Sequence, residues 1–358
     1  MKVSFYPGPS KVYDQVPHYV KTAHKKGILS INHRSEPFMK MVRRCQKLLL
    51  KKLQIPKDYN IFFTSSATEC WEIIAQSLTK EQSFHIYNGA FGEKWFRYAH
   101  KLKPLSTGKA FDRDDLLNPL KLQVPTKVEV ICITQNETSN GTQVSNDVIA
   151  AIRKKYPKKL LAVDATSSMA GVYLDFTQAD IWYASVQKCF GLPAGIGLMV
   201  CSPDAMAQAE ALEERDHYNS LLFISENMEK FQTSYTPNVL AIYLLMQVMK
   251  RSKGIKKVNA VIRERHQNWM GFLQELPDLE PLVKNEEVQS NTVIPVTGDS
   301  KLIIEIKKLL EKAGYIVGNG YGDLKDTTFR IANFPAIKDK EIKGLQSALV
   351  NILQSYSG

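Results

Sequence analysis

Six short apolar runs, at residues 61–64, 84–87, 128–134, 160–164, 181–184 and 197–201, alternate with segments at 36–53, 67–78, 92–102 and 145–156 where apolar side chains recur every three or four positions. Short apolar runs suit buried strands, and the longer repeat suits amphipathic helices. Strands separated by helices return to the sheet by crossovers, so the expected fold class is α/β, with a mostly parallel central sheet and helices on both faces. Ligands of such sheets sit beyond the carboxyl ends of the strands. The polar residues that follow the runs are therefore the candidates for chemistry: 64–69, 88–91, 136–141, 164–168 and 187–188.

Beyond Pro237 the pattern changes. A helical stretch reaches about Arg251 and another spans 255–275; strand-like 292–296, helical 301–313, strand-like 329–332 and a final helix from Asp339 follow. This reads as a smaller α+β C-terminal domain. The expected division is a large domain at 11–248 and a small one at 249–358 that also takes the N-terminal arm, 1–10. A chain of 358 residues is long enough for two such units.

With 44% hydrophobic and 23% charged residues the composition is that of an ordinary globular protein. No apolar run approaches the roughly 20 residues of a membrane span. The expectation is a cytoplasmic protein without membrane contact. Cys45, Cys70, Cys132, Cys189 and Cys201 show no paired spacing, so neither a disulfide nor a metal site is expected. Asn136-Glu137-Thr138 has the form of a glycosylation sequon and is taken as a chance triplet. The formal charge of +11 is concentrated at 154–159 and 250–257. Neither cluster interleaves aromatics at a stacking rhythm, and each sits at an expected helix end, so both are read as solvated faces, with no nucleic-acid partner.

Lys188 interrupts a segment that otherwise reads as buried, between the apolar runs at 181–184 and 196–201. Desolvation disfavours an ammonium and lowers its pKa towards the free amine that a Schiff base needs. Upstream, the run 160–164 ends in Asp164. An acid at one strand end with a lysine some twenty residues on suits pyridoxal 5'-phosphate: the acid keeps the pyridinium protonated and the lysine carries the aldehyde.

Other candidates are two-sided. The segment 64–69 places small and hydroxyl residues where free helix-end amides can hold a phosphate, and a plain Ser/Thr N-cap explains the same residues. Phe91, just after a strand, suits stacking on a ring or simply the core. Arg330, a lone cation in an apolar run, suits a clamp on a substrate carboxylate or an edge strand with its head in water. His33 and Arg34 precede a helix start at which Ser35 is the expected N-cap.

Several motifs in order carry a resemblance: Pro7-Gly8-Pro9, His33-Arg34, Ala67-Thr68, residues 88–91, Asn136-Glu137-Thr138, Asp164 with Ser167-Ser168, Gln187-Lys188, Thr236-Pro237 and Arg330. Over nearly its whole length the chain resembles the class V, fold-type I pyridoxal-phosphate aminotransferases, and within them the phosphoserine aminotransferases. The resemblance implies a transaminase converting 3-phosphohydroxypyruvate and glutamate to phosphoserine and 2-oxoglutarate. The alternatives are a transaminase of alanine, serine or glyoxylate, which the segments 88–93 and 136–141 also resemble, and a binding protein that kept the fold without catalysis.

The resemblance further implies roles by position. Lys188 would bind the cofactor aldehyde, Asp164 its ring nitrogen, and Phe91 its ring face. Ala67, Thr68, Gln187 and a partner subunit's Thr236 would hold the cofactor phosphate, and Thr138 would lie beside the ring hydroxyl. Arg330 would take the substrate α-carboxylate, and His33 with Arg34, across a homodimer, the distal acidic group. The chain departs at two positions: phosphoserine aminotransferases commonly have arginine where Glu69 stands and histidine near Asp323, so weaker recognition of a substrate phosphate is expected.

Overall fold

The computed structural model describes residues 2–357. Its strands are β1 (Val3–Phe5), β2 (Asn60–Thr64), β3 (Ser83–Tyr87), β4 (Thr107–Ala110), β5 (Val130–Thr134), β6 (Asn136–Glu137), β7 (Thr142–Gln143), β8 (Leu160–Asp164), β9 (Ile181–Ser185), β10 (Gly197–Cys201), β11 (Leu279–Pro281), β12 (Val293–Gly298), β13 (Tyr315–Asn319) and β14 (Thr328–Ala332). Seven of them form one sheet in the order β2-β10-β9-β8-β5-β3-β4. Only β10 runs against its neighbours; β9, β8, β5, β3 and β4 pair in parallel. Each of the six apolar runs becomes a strand of this sheet. The seventh strand, β4, is exposed throughout and too polar to announce itself, and it is held as an edge by pairing with β3.

The helices α1 (Val16–Lys25), α2 (Glu36–Leu53), α3 (Ala67–Ser77), α4 (Ala90–Leu102), α5 (Asn146–Lys155), α6 (Pro203–Leu212), α7 (Leu221–Glu229) and α8 (Val239–Arg251) surround that sheet. Local chemistry starts several of them. The amide of Glu69 donates to Ser66 Oγ at 3.2 Å at the head of α3, and that of Val148 to Ser145 Oγ at 3.3 Å at the head of α5. Ser35 occupies the N-cap position of α2, yet it does not cap. Its hydroxyl turns back and donates to the Asn32 carbonyl at 2.6 Å.

The second sheet has the order β1-β13-β14-β12-β11 and is packed against α9 (Ile255–Gln274), α10 (Ser300–Lys312) and α11 (Asp339–Ser357). β1 pairs in parallel with β13, so the N-terminal arm is part of this sheet before the chain crosses to α1. Residue 248 lies inside α8, and the first core continues through Met249 to Ile255. Trp269 and Leu273 belong to the second core, so the chain passes from one core to the other along α9.

Candidate functional site

β2, β5, β8 and β9 end at one edge of the large sheet with Thr64, Thr134, Asp164 and Ser185. Antiparallel β10 begins at that edge: its first residue, Gly197, pairs with both Thr64 and Ser185. The strand ends open into a cavity of about 220 Å³ lined by Ala67, Thr68, Phe91, Thr138, Asp164, Gln187 and Lys188. Seven residues singled out from sequence are thus brought together. Sequence reasoning passed over others that line the same cavity: Trp71, Lys94, Thr134 and Ser185.

Lys188 is 8% exposed. Its Nζ donates to Thr138 Oγ1 at 3.0 Å and lies 5.5 Å from the centre of the Phe91 ring. Burial pulls the ammonium pKa from 10.5 down to about 8; the charge of Asp164 opposes that fall and Arg330 adds to it. Gly8 makes room for the side chain. Its φ is +143°, and a Cβ there would stand 3.0 Å from Lys188 Cε.

Asp164 is fully enclosed, and burial raises its carboxyl pKa. The Thr166 amide, donating to Oδ1 at 2.8 Å, and the Tyr183 phenol pull in the other direction, while Glu137 raises it further. Tyr183 accepts in turn from Trp71 Nε1 at 2.8 Å. The Asp164 carboxylate is therefore held by neutral donors.

The N-terminus of α3 faces the cavity with Ala67 and Thr68. The Ala67 amide donates to Ser185 Oγ at 3.2 Å, and Thr68 lines the cavity. Glu69 turns away from it, accepting from the Ser65 amide at 2.6 Å, the Ser65 hydroxyl at 2.8 Å and the Tyr218 hydroxyl at 3.0 Å. Its charge is met by neutral donors only, and Glu69 is absent from the cavity lining. Asp323 lies exposed on a short 3₁₀ turn outside the cavity lining.

Glu137 explains the buried 136–138 segment, which is inaccessible to any glycosylation chemistry. Its carboxylate accepts from the amides of Phe91 at 3.2 Å and Gly92 at 3.0 Å, and from the Ser139 amide and hydroxyl at 2.9 and 2.6 Å. An acid from another element thus caps α4 and fixes Phe91. A Cβ on Gly89 would lie 2.3 Å from Glu137 Cγ, so the approach needs glycine there. No local spacing signals a cap reached from 46 residues away.

Arg330 is on β14, between β13 and β12 rather than at an edge, and is 5% exposed. It donates from Nη1 to the Thr138 carbonyl and from Nε to the Asn319 carbonyl, both at 2.7 Å. Those two bonds fix its plane and leave further N–H donors of the guanidinium for a carboxylate. Tyr321 covers it, 5.7 Å from ring centre to guanidinium, and also meets Phe91 at 5.3 Å.

His33, Arg34 and Thr236 do not join this cavity within the chain. Arg34 and Thr236 are exposed, and Arg34 Nη1 donates to Gln232 Oε1 at 2.6 Å, which brings the two loops to one face.

The cavity offers a buried amine near neutrality, a buried carboxylate, a helix N-terminus and an aromatic face; Arg330 does not line it, and its oriented guanidinium is tied to the carbonyl of Thr138, which does. Among the described residues there is no group of three or more His, Cys, Asp or Glu side chains placed to hold a metal ion, and no helix is long and apolar enough to cross a membrane.

Residues 7–322 match the family model described as Aminotransferase class-V. The chain is similar to the phosphoserine aminotransferase of Rhodococcus opacus, 24% identical over 352 residues that make up 96% of this chain and 92% of that one. Among solved structures it is similar to a phosphoserine aminotransferase from Cytophaga hutchinsonii, 32% identical with a TM-score of 0.94 over 98% of both chains. The alanine–glyoxylate aminotransferase of Nostoc shares the fold, with a TM-score of 0.83 at 17% identity over 98% of this chain and 95% of that one.

Proposed function

This chain belongs to the class-V aminotransferases, and from that premise we propose that it is a pyridoxal 5'-phosphate-dependent phosphoserine aminotransferase, interconverting 3-phosphohydroxypyruvate and glutamate with phosphoserine and 2-oxoglutarate. The observation that carries the substrate is the 32% identity over 98% of both chains with the Cytophaga enzyme, against 17% with the alanine–glyoxylate enzyme. The proposal includes a homodimer and a cytoplasmic role in serine biosynthesis.

The residues fit the cofactor. A buried hydroxyl that lines the cavity, Thr134 Oγ1, has no hydrogen-bond partner among the described residues, which is rare for an enclosed polar atom. Lys188 would bind the aldehyde, Asp164 the ring nitrogen and Phe91 the ring face. Ala67, Thr68 and Gln187 would hold the phosphate at the α3 N-terminus, joined by Thr236 of a second subunit. When bound, the cofactor supplies an electron sink for a substrate carbanion and a carrier for the amino group.

The chain's own residues do the rest. With a pKa of about 8, Lys188 Nζ both accepts a proton from a substrate Cα and returns one, a step worth roughly 10² to 10⁴ in rate. Thr138 Oγ1 aims that nitrogen. Asp164 keeps a ring proton in place by charge. Arg330, its plane set by two carbonyls, holds the α-carboxylate so that Cα–H faces Lys188. Buried side chains around the site exclude water from the proton transfer. His33 and Arg34 of the second subunit would meet the distal phosphate.

The test is the specificity constant for phosphoserine against serine and alanine, with 2-oxoglutarate as acceptor. Phosphoserine should exceed both by at least about 10²-fold, the scale of losing two charge-assisted bonds. A constant that is unchanged or higher without the phosphate would transfer the assignment to alanine, serine or glyoxylate.

A further inference from the structure

The cations of the basic cluster at 250–257 are exposed, and three of them also border a cavity. α8 ends at Arg251 and α9 begins at Ile255, and the turn between them sets Arg251, Lys253 and Lys257 on the rim of a cavity of about 320 Å³, with Arg265 from further along α9. Its floor is apolar, built from Tyr13, Val248, Val258 and Ile262, and neither Asp nor Glu lines it. Arg265 is tied to Asp339 at 2.7 Å, and Arg251 reaches only the Tyr19 hydroxyl, at 3.4 Å. Lys253 and Lys257 make no ion pair or hydrogen bond with the described residues. Unpaired cations above an apolar floor match a ligand with an apolar body and one negative end.

The cavity is separate from the catalytic one yet joined to it. The Tyr13 amide donates to the Gly191 carbonyl at 3.0 Å, and the Ser10 amide to the Gln187 carbonyl at 3.1 Å. A Cβ on Gly191 would meet the Tyr13 ring at 2.7 Å, so the ring rests directly on the loop that carries Lys188. It also stands clear of the face that carries Arg34 and Thr236. That face is at the start of α8, and the cavity is at its end, roughly 20 Å away for a helix of 13 residues.

We propose that this cavity binds a small monocarboxylate with an aromatic or branched aliphatic body, the body on Tyr13, Val248, Val258 and Ile262 and the carboxylate at the Lys253 and Lys257 rim. An occupant there presses on the segment that backs Lys188, which makes the site a place for an effector.

Isothermal titration of the holoenzyme with 4-phenylbutyrate should show one saturable site per chain, and the uncharged 4-phenylbutyramide should bind at least about tenfold more weakly. The double variant Lys253→Glu/Lys257→Glu, altered only at exposed positions, should lose the acid by a similar factor with basal turnover intact. Val258→Trp, which fills the floor, should abolish binding of both compounds. Amide exchange at Tyr13 should slow on occupation. No saturable binding, equal affinity for acid and amide, binding untouched by either variant, or protection confined to another region would each overturn the proposal.

Discussion

The Lys188 amine should titrate far below the usual lysine value in the cofactor-free protein. Its fall from 10.5 to about 8 corresponds to roughly 3 kcal/mol between ammonium and free amine. At pH 7 about one chain in ten then has the free amine, against about one in three thousand for an unperturbed lysine. The largest cause is burial, which the folded chain imposes and the unfolded chain lacks. The sign follows: the charged form is disfavoured in the fold, so the cofactor-free protein gains stability as pH rises from about 8 towards 10.5, where only the unfolded chain still takes up the proton. The assay is competitive labelling with an amine-reactive anhydride across pH 6–11, with the Lys188 peptide quantified by mass spectrometry. Enclosure slows its labelling at every pH, so the midpoint of the profile is the quantity compared. Lys188 should be half-maximal near pH 8 in the folded protein and near 10.5 once the chain is unfolded. Asp164→Asn, which removes the charge opposing the fall, should move the midpoint lower. A Lys188 midpoint near 10.5 in the folded protein would show that burial does not depress this amine.

Three further outcomes are expected. Glu137→Ala leaves the amides of Phe91, Gly92 and Ser139 without their acceptor and should cost about 3 kcal/mol or more in urea unfolding, with Glu137→Gln recovering part of it. Arg330→Lys keeps the charge but cannot reproduce the two-carbonyl anchor, so kcat/KM for the amino acid should fall about 10- to 100-fold in steady-state assays while the fold is retained. Mixing inactive Lys188→Ala with Arg34→Ala subunits should restore activity, because a mixed dimer assembles one intact site; no recovery after proven subunit exchange would mean that each site is built within one chain.

The parts of the fold carried by periodicity were legible in the sequence. All six apolar runs became strands of one sheet, because strands buried on both faces read as near-continuous apolar stretches. β4 escaped because an exposed edge needs no apolar side chains, and β1 because three residues carry no period. The cavity was partly legible for a related reason. Lys188 and Asp164 stand out as charges among apolar neighbours, whereas Thr134 and Ser185 are small polar residues whose importance lies only in where the strand ends converge. Glu137 lay within a candidate segment, but its role as an acceptor was not legible, since it is set by a contact with α4 distant in sequence. Ser35 shows the converse: a residue of the right type at the right position spent its hydroxyl elsewhere.

The central claim is that Lys188 carries the cofactor. Protein reconstituted with pyridoxal 5'-phosphate, reduced with borohydride and digested, should yield one phosphopyridoxyl peptide, the one containing Lys188, and Lys188→Ala should yield none. Fixation on a different lysine, or undiminished turnover by Lys188→Ala, would contradict the account.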